Sequence, residues 1–182
     1  MADIREPDAV KLIVGMLSAF PGAFAAAEEA LTESFGPIDQ RSDVTAHEFT
    51  DYYRDEKGHS LMRCFVSCEL LVDPGELANV KRYTNDLERQ IAASGEFSTI
   101  RPINLDPGYV TPAKLVLASC KDYTHRIYLG GGIYAETTLG YTHGRWEPYA
   151  WTYPDYRTAG YQAFLSQVRE ALMARRQGSL RG

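Results

Sequence analysis

The sequence predicts an α+β fold: a ferredoxin-like β-α-β-β-α-β core, an antiparallel sheet with helices on one face, extended by a C-terminal β-hairpin and a last helix. Three observations carry this. LIVGMLSAFPGAF and CFVSCELLVDPGEL each run from an apolar strand through a Pro-Gly turn into a helix. Further strands near residue 50 and at Thr99 to Leu105 complete the β-α-β-β-α-β order. Finally, Gly130-Gly131-Gly132 joins two alternating runs into a hairpin.

A length of 182 residues predicts one domain, 1–182, with its core over about 10–106, the extension over about 107–176 and a basic tail at 177–182. Residues 1–9 form a loose lead-in, and Val10 to Leu17 is a buried strand. Pro21-Gly22 opens an alanine-rich helix that Gly36-Pro37 closes. Residues 37–48 read as loop leading to a strand near Glu48 to Tyr53, and Asp55 to Ser60 is turn chemistry.

Leu61 to Val72 is the next strand. Asp73 then reads as an N-cap, Pro74 as the first helical position and Glu76 as the partner in a capping box. Leu77, Val80, Thr84, Leu87 and Ile91 give that helix its apolar stripe, and it ends near Ser94-Gly95. Thr111 to Cys120 opens like a helix at Thr111-Pro112, yet LVLAS suits a buried strand equally; a short helix is preferred. A strand near Trp146 to Trp151 follows. The last helix, Thr158 to Arg176, sets Tyr161, Phe164, Leu165, Val168 and Leu172 on one side, and its arginine-rich end is expected to fray.

A net charge of −5 argues against non-specific nucleic-acid binding. Acids precede the first apolar run and no run is long enough to span a bilayer, so neither a secretory signal nor a membrane helix is expected. Three cysteines without a CxxC pair point to free, buried thiols in a reducing cytoplasm. The histidines at 47, 59, 125 and 143 have no metal-ligand spacing. GxxxxGK[ST], GxGxxG and GxSxG are all absent, and the sequence leaves any cofactor unknown.

With Gly130 to Gly132 as the loop, Leu129 faces Ile133, Tyr128 faces Tyr134, Ile127 faces Ala135 and Arg126 faces Glu136. One face then carries Ile127, Leu129, Ile133, Ala135 and Leu139, the other Arg126, Tyr128, Tyr134, Glu136 and Thr138. The polar face is either a solvated sheet surface with an ordinary ion pair or a site. Asp106-Pro107-Gly108-Tyr109 is either a structural turn or a carboxylate placed at a strand end for chemistry. Lys121 to Arg126 gathers cationic donors around a titratable imidazole, His125.

INLDPGY, KLVLASCKDYTHRIYLGGGIYAETTL and WTYPDYR, with REPDAVKLIVGMLSA and FTDYYRDEKG, resemble a bacterial domain-of-unknown-function family, number 4416. The resemblance covers essentially the whole chain. It implies that FTDYY, LDPGY, THRIYLG, YAETTL and YPDY recur, and that Asp51, Asp106, Tyr109, His125, Arg126, Tyr134, Glu136 and Asp155 form a site. Some relatives are labelled GTP-binding proteins, yet this sequence has neither a phosphate-loop lysine motif nor NKxD.

The function expected first is binding of a small anionic metabolite or nucleotide, with or without catalysis. Arg126, Lys114 and Lys121 would hold the anion, and Asp106, His125 or Glu136 would exchange protons. Tyr109, Tyr128 and Tyr134, with Asp51 and Asp155, would complete the walls. The alternative is a non-catalytic module whose tyrosine-rich sheet face meets a partner protein or a second copy. RNA recognition ranks last, because no RNP-type motif is present and the charge is of the wrong sign.

Overall fold

The computed structural model describes residues 3–47 and 61–179; the expected strand near Glu48 to Tyr53, the turn after it and Asp51 lie outside them. The elements run β1 (Val10–Ser18), α1 (Pro21–Phe35), β2 (Ile38–Arg41), β3 (Thr45–Ala46), β4 (Met62–Val72), a 3-10 turn (Pro74–Glu76) and α2 (Leu77–Ala93). They continue with β5 (Ile103–Val110), β6 (Lys114–Ser119), β7 (Ile127–Gly130), β8 (Ile133–Thr142), β9 (Arg145–Pro148), a 3-10 turn (Pro154–Arg157) and α3 (Ala159–Ser179). The protein is α+β, with one sheet ordered β2-β4-β1-β5-β6-β8-β7; β3 pairs with β4 and β9 with β8. The strand pairs of the described residues run antiparallel.

β1 lies between β4 and β5 and is buried throughout, because both faces of the sheet are covered. Val14 and Met16 pack with Phe24 and Leu31 of α1 and Leu87 and Ile91 of α2. Ile13 packs on the other face with Phe65 and with Phe164, Leu165 and Val168 of α3. Two-sided burial explains why β1 reads as a continuous apolar run. Its one interruption, Lys11, is buried with Nζ donating to the Asp39 carboxylate at 2.6 Å and the Cys68 carbonyl at 2.7 Å. An ammonium out of water needs such partners.

Asp73 caps as expected, its carboxylate accepting the Gly75 N–H at 2.7 Å. Glu76 does not close a capping box; its carboxylate accepts from the Asn79 side chain instead. The 37–48 stretch is not simply loop. It supplies the short edge strands β2 and β3, whose polar residues suit a rim exposed on one side.

Asp106-Pro107-Gly108 is not a turn but the middle of β5. β5 pairs with β1 along its whole length and with β6 only from Gly108 to Val110. Before Gly108 the sheet is split. There the Leu105 N–H donates to Glu88 Oε1 and its carbonyl accepts from Lys81 Nζ, both at 2.7 Å, so two α2 side chains stand where a strand would. Ladder alternation puts Pro107 on the same open edge, where its missing N–H breaks no strand bond. At Gly108 the strands reconverge so closely that a Cβ would lie 2.4 Å from the Val116 carbonyl oxygen.

Thr111 to Cys120 is strand, not helix. The Thr111 hydroxyl accepts the N–H groups of Ala113 and Lys114 in a tight turn, and β6 then buries alternate residues on opposite faces. Val116 and Ala118 join Leu77 of α2, whereas Leu115 and Leu117 join the α3 layer.

The hairpin keeps Ile127 opposite Ala135 and Tyr128 opposite Tyr134, but Gly130 rather than Leu129 pairs with Ile133. Gly131 and Gly132, at φ 59° and 78°, make the two-residue reversal that only such residues adopt readily. A second bulge between Leu115 and Val116 leaves Thr138 extra on β8. Leu139 therefore sits on the face opposite Ile133, not the same one. Ile127 and Leu129 are exposed on the terminal strand, while Glu136 and Thr138 of the polar face are buried, which excludes a solvated surface at those two positions.

β9 begins and ends earlier than expected, leaving Trp151 in the following turn. α3 packs on the face opposite α1 and α2. Arg175 and Arg176 are tied down rather than frayed, Arg175 meeting Glu69 and Arg176 the Asp8 carboxylate and the Ala9 carbonyl; the rest of the expected tail, 180–182, lies outside the described residues. No helix among the described residues is long and apolar enough to cross a membrane.

Candidate binding cleft

The split between β5 and β6 opens into a cleft of about 640 Å³. α2, the two parted strands, the start of the hairpin and the turn at Pro154–Arg157 wall it. Its cations are Arg63, Lys81, Arg101, Lys121 and Arg126; its carboxylates are Glu88, Asp106, Glu136 and Asp155.

On the β4–β5 side the buried Arg63 is central. Its Nη1 donates to Asp106 at 3.1 Å and its Nη2 to the Tyr156 hydroxyl at 3.2 Å, and its guanidinium lies 5.1 Å from the Phe65 ring centroid. Burial alone would lower the Arg63 pKa; Tyr156, Asp106 and Asp155 outweigh it and raise the value. Burial pushes the Tyr156 phenol pKa up, against the pull of Arg63. Lys81 Nζ lies 3.9 Å from Asp106, which is thus shared by two buried cations. Burial also raises the Glu88 carboxyl, against Lys81 and the Leu105 N–H.

Across the cleft the hub is Arg126. It donates to Glu136 at 2.8 Å, to the Ser119 hydroxyl and the Lys121 carbonyl at 2.9 Å each, and to the Tyr153 hydroxyl at 3.2 Å. Glu136 is filled on both oxygens: Oε2 takes Arg126 and His125 Nε2, at 3.0 Å, and Oε1 takes the Thr138 hydroxyl. The His125 ring stacks on Trp151 at 5.0 Å and 10°, and Trp151 on Tyr149 at 5.0 Å and 9°. Burial, first, lowers the Arg126 pKa, but the bonds to Glu136 and Tyr153 leave it raised. The two tyrosines of the 153–156 turn are therefore held by arginines from opposite walls.

Of the residues singled out from the sequence, Asp106, Lys121, Arg126, Glu136 and Asp155 line this cleft, and His125 supports it through Glu136. Tyr109 packs instead against the Leu77–Val116 cluster, with its phenol pKa raised by burial. Lys114 is exposed at the far end of β6, opposite Gly140. Tyr128 and Tyr134 meet each other across the hairpin, 5.2 Å apart, and do not line the cleft. Asp51 lies outside the described residues. Sequence reasoning missed Arg63, Lys81, Asn85 and Glu88. Their signals were a lone arginine inside an apolar strand, and polar residues at i, i+4 and i+7 beside the α2 apolar stripe. The described residues contain no group of three or more His, Cys, Asp or Glu able to hold a metal.

Fold and cleft define an α+β protein whose antiparallel sheet, covered on both faces, is split by a charged cavity. The chain belongs to the family described as Domain of unknown function (DUF4416), whose model matches residues 8–172. No curated protein matches it.

Proposed function

We propose that the cleft binds a small anionic metabolite, with nucleotides in the same class. The observation that carries this is its charge: five lysines and arginines against four carboxylates, in a chain whose net charge is −5. A concave cavity of this size with convergent charged groups has the form expected of a small-molecule site. Lys121 and Arg101 would meet the anion at the rim, and Asp106 would serve as the proton acceptor in any reaction. Arg126, Glu136 and His125 would shape the wall. The strand order β2-β4-β1-β5, with α1 and α2 on one face, supports a ferredoxin-like assignment for residues 10–110.

The test is a thermal-shift screen against sugar phosphates, nucleotides and organic acids. A binder raises the melting temperature by mass action. Lys121→Ala with Arg101→Ala should abolish that shift; because Arg101 also lies 3.5 Å from Glu88, the shift is read against the variant's own ligand-free melting temperature. A broad screen with no shift refutes the proposal. The outer edge of the sheet favours a second reading, in which exposed Ile127, Tyr128 and Leu129 on β7 meet a partner strand. An inert screen together with association at that edge would put this reading first.

A further inference from the structure

The sheet ends on strands whose outer sides meet no other strand among the described residues, and these edges are not alike. At one end β2 carries Asp39 and Arg41, and β3 is two residues long. At the other, β9 carries Arg145 and Glu147 and closes on Pro148. Charge, brevity and proline are the ordinary means by which an edge is kept from pairing. β7, Ile-Tyr-Leu-Gly, is short but has neither a charge nor a proline. Its Ile127, Tyr128 and Leu129 are 72%, 60% and 43% exposed. Ile127 stands opposite Ala135, which packs with Leu77, Val116 and Ile133. The apolar face of the sheet therefore runs on past the helix that covers it. Seven of the eleven exposed large hydrophobic residues among those described fall between Tyr123 and Tyr153, a concentration that marks an interaction surface rather than scattered exposure.

Two features select the occupant. A second copy brings the same net charge of −5 and docks best through a surface that is itself uncharged, a condition β7 meets. An edge strand is also self-complementary: a two-fold axis across it makes an antiparallel pair, the ladder the rest of this sheet already uses. An axis near Tyr128 sets Ile127 of one copy beside Leu129 of the other on one face, and Tyr128 beside its own equivalent on the opposite face. We propose that β7 is the contact between two copies of this chain, joined edge to edge so that one sheet runs through the dimer. This rests on the edge reading and narrows it to one partner, and it stands whether or not the cleft binds an anion.

Sedimentation velocity on the full chain, from about 1 to 100 μM, spans the affinity expected of so small an interface. The wild type should move from one chain of 20.4 kDa toward twice that mass as concentration rises. Ile127→Lys with Leu129→Lys sets ammonium groups against one another across the axis and should raise the dissociation constant about tenfold or more. Both positions are exposed, so the monomer should stay folded. A wild type that remains monomeric throughout overturns the proposal and passes the edge to a different protein. A dimer that survives the double substitution overturns it too, by placing the contact elsewhere. If the variant misfolds, hydrogen exchange on the wild type decides: the β7 amides should exchange more slowly at the high end of the range than at the low end, and equal rates overturn the dimer. Neither position lines the cleft, so a thermal-shift screen on the folded variant bears on anion binding alone.

Discussion

Arg126→Ala measures how the hairpin and cleft wall are held. The Arg126 and Glu136 side chains are 6% and 2% exposed, with Nε 2.8 Å from Oε2. One of the two sequence readings makes this a solvated pair, a class that contributes about 0–1 kcal/mol. The buried geometry changes the magnitude. Removing the guanidinium leaves the Glu136 carboxylate buried with only His125 and Thr138, and takes a donor from Ser119, Tyr153 and the Lys121 carbonyl. Breaking a buried pair at one end costs about 3–5 kcal/mol. Because this pair borders an open cleft, the low end applies, about 3 kcal/mol. At roughly 2–4 °C per kcal/mol for a chain of this length, the melting temperature should fall by about 6–12 °C.

Urea unfolding followed by tryptophan fluorescence reads this directly, with an unchanged m-value confirming two-state behaviour. Adding Glu136→Gln closes a double-mutant cycle, and the double variant should lose about 1.5 kcal/mol less than the sum of the singles. A loss under about 1 kcal/mol in Arg126→Ala would refute the structural role. The guanidinium would then be free to exchange Glu136 for a ligand.

Two further outcomes are expected. Burial pushes the Cys64 and Cys68 thiols up to about 11, whereas Cys120 is exposed at the cleft, its sulfur 3.1 Å from the Asn85 amide nitrogen. A disulfide reagent at mildly alkaline pH should therefore titrate one thiol in the native protein and three in denaturant, and a bound anion should slow the first; three fast native thiols would contradict the packing. Glu88, raised above its ordinary 4.5 by burial, makes the native state hold its proton longer than the unfolded one, so stability falls as pH rises from about 4.5 through the raised value. Glu88→Gln should remove that decline, and a pH-independent stability difference between variant and wild type would count against it.

The core elements were legible because their signals are local. Pro21, Gly36, Asp73 and the Leu77–Ile91 stripe mark helix starts, ends and faces without reference to the rest of the chain. The failures all turn on partners distant in sequence. LVLAS is apolar on both sides because α2 and α3 cover it from opposite faces, a pattern that alternation cannot separate from a helix. Asp-Pro-Gly is turn chemistry at Asp73 and mid-strand at Asp106; only the departure of β6 distinguishes them. The bulge at Thr138 leaves no mark in the sequence, yet it decides which face Leu139 occupies. For the cleft, acids and bases near the hairpin were legible, but Lys81 and Glu88 belong to a helix whose apolar stripe drew attention to its other side.

The split sheet also separates two kinds of charge. Opening β5 from β6 strands the Leu105 N–H and carbonyl, and buried backbone groups left unpaired are costly. Glu88 and Lys81 satisfy both, so their presence follows from the split itself and would be needed even in a cleft that bound nothing. Arg126 and Glu136 have the same standing on the opposite wall, since their bonds join β6, β8 and the 153–156 turn. Lys121 and Arg101 are the exposed cations of the lining, and Arg101 also lies 3.5 Å from Glu88. Neutral substitutions at these exposed cations therefore disturb folding less than Arg126→Ala and report on binding more directly.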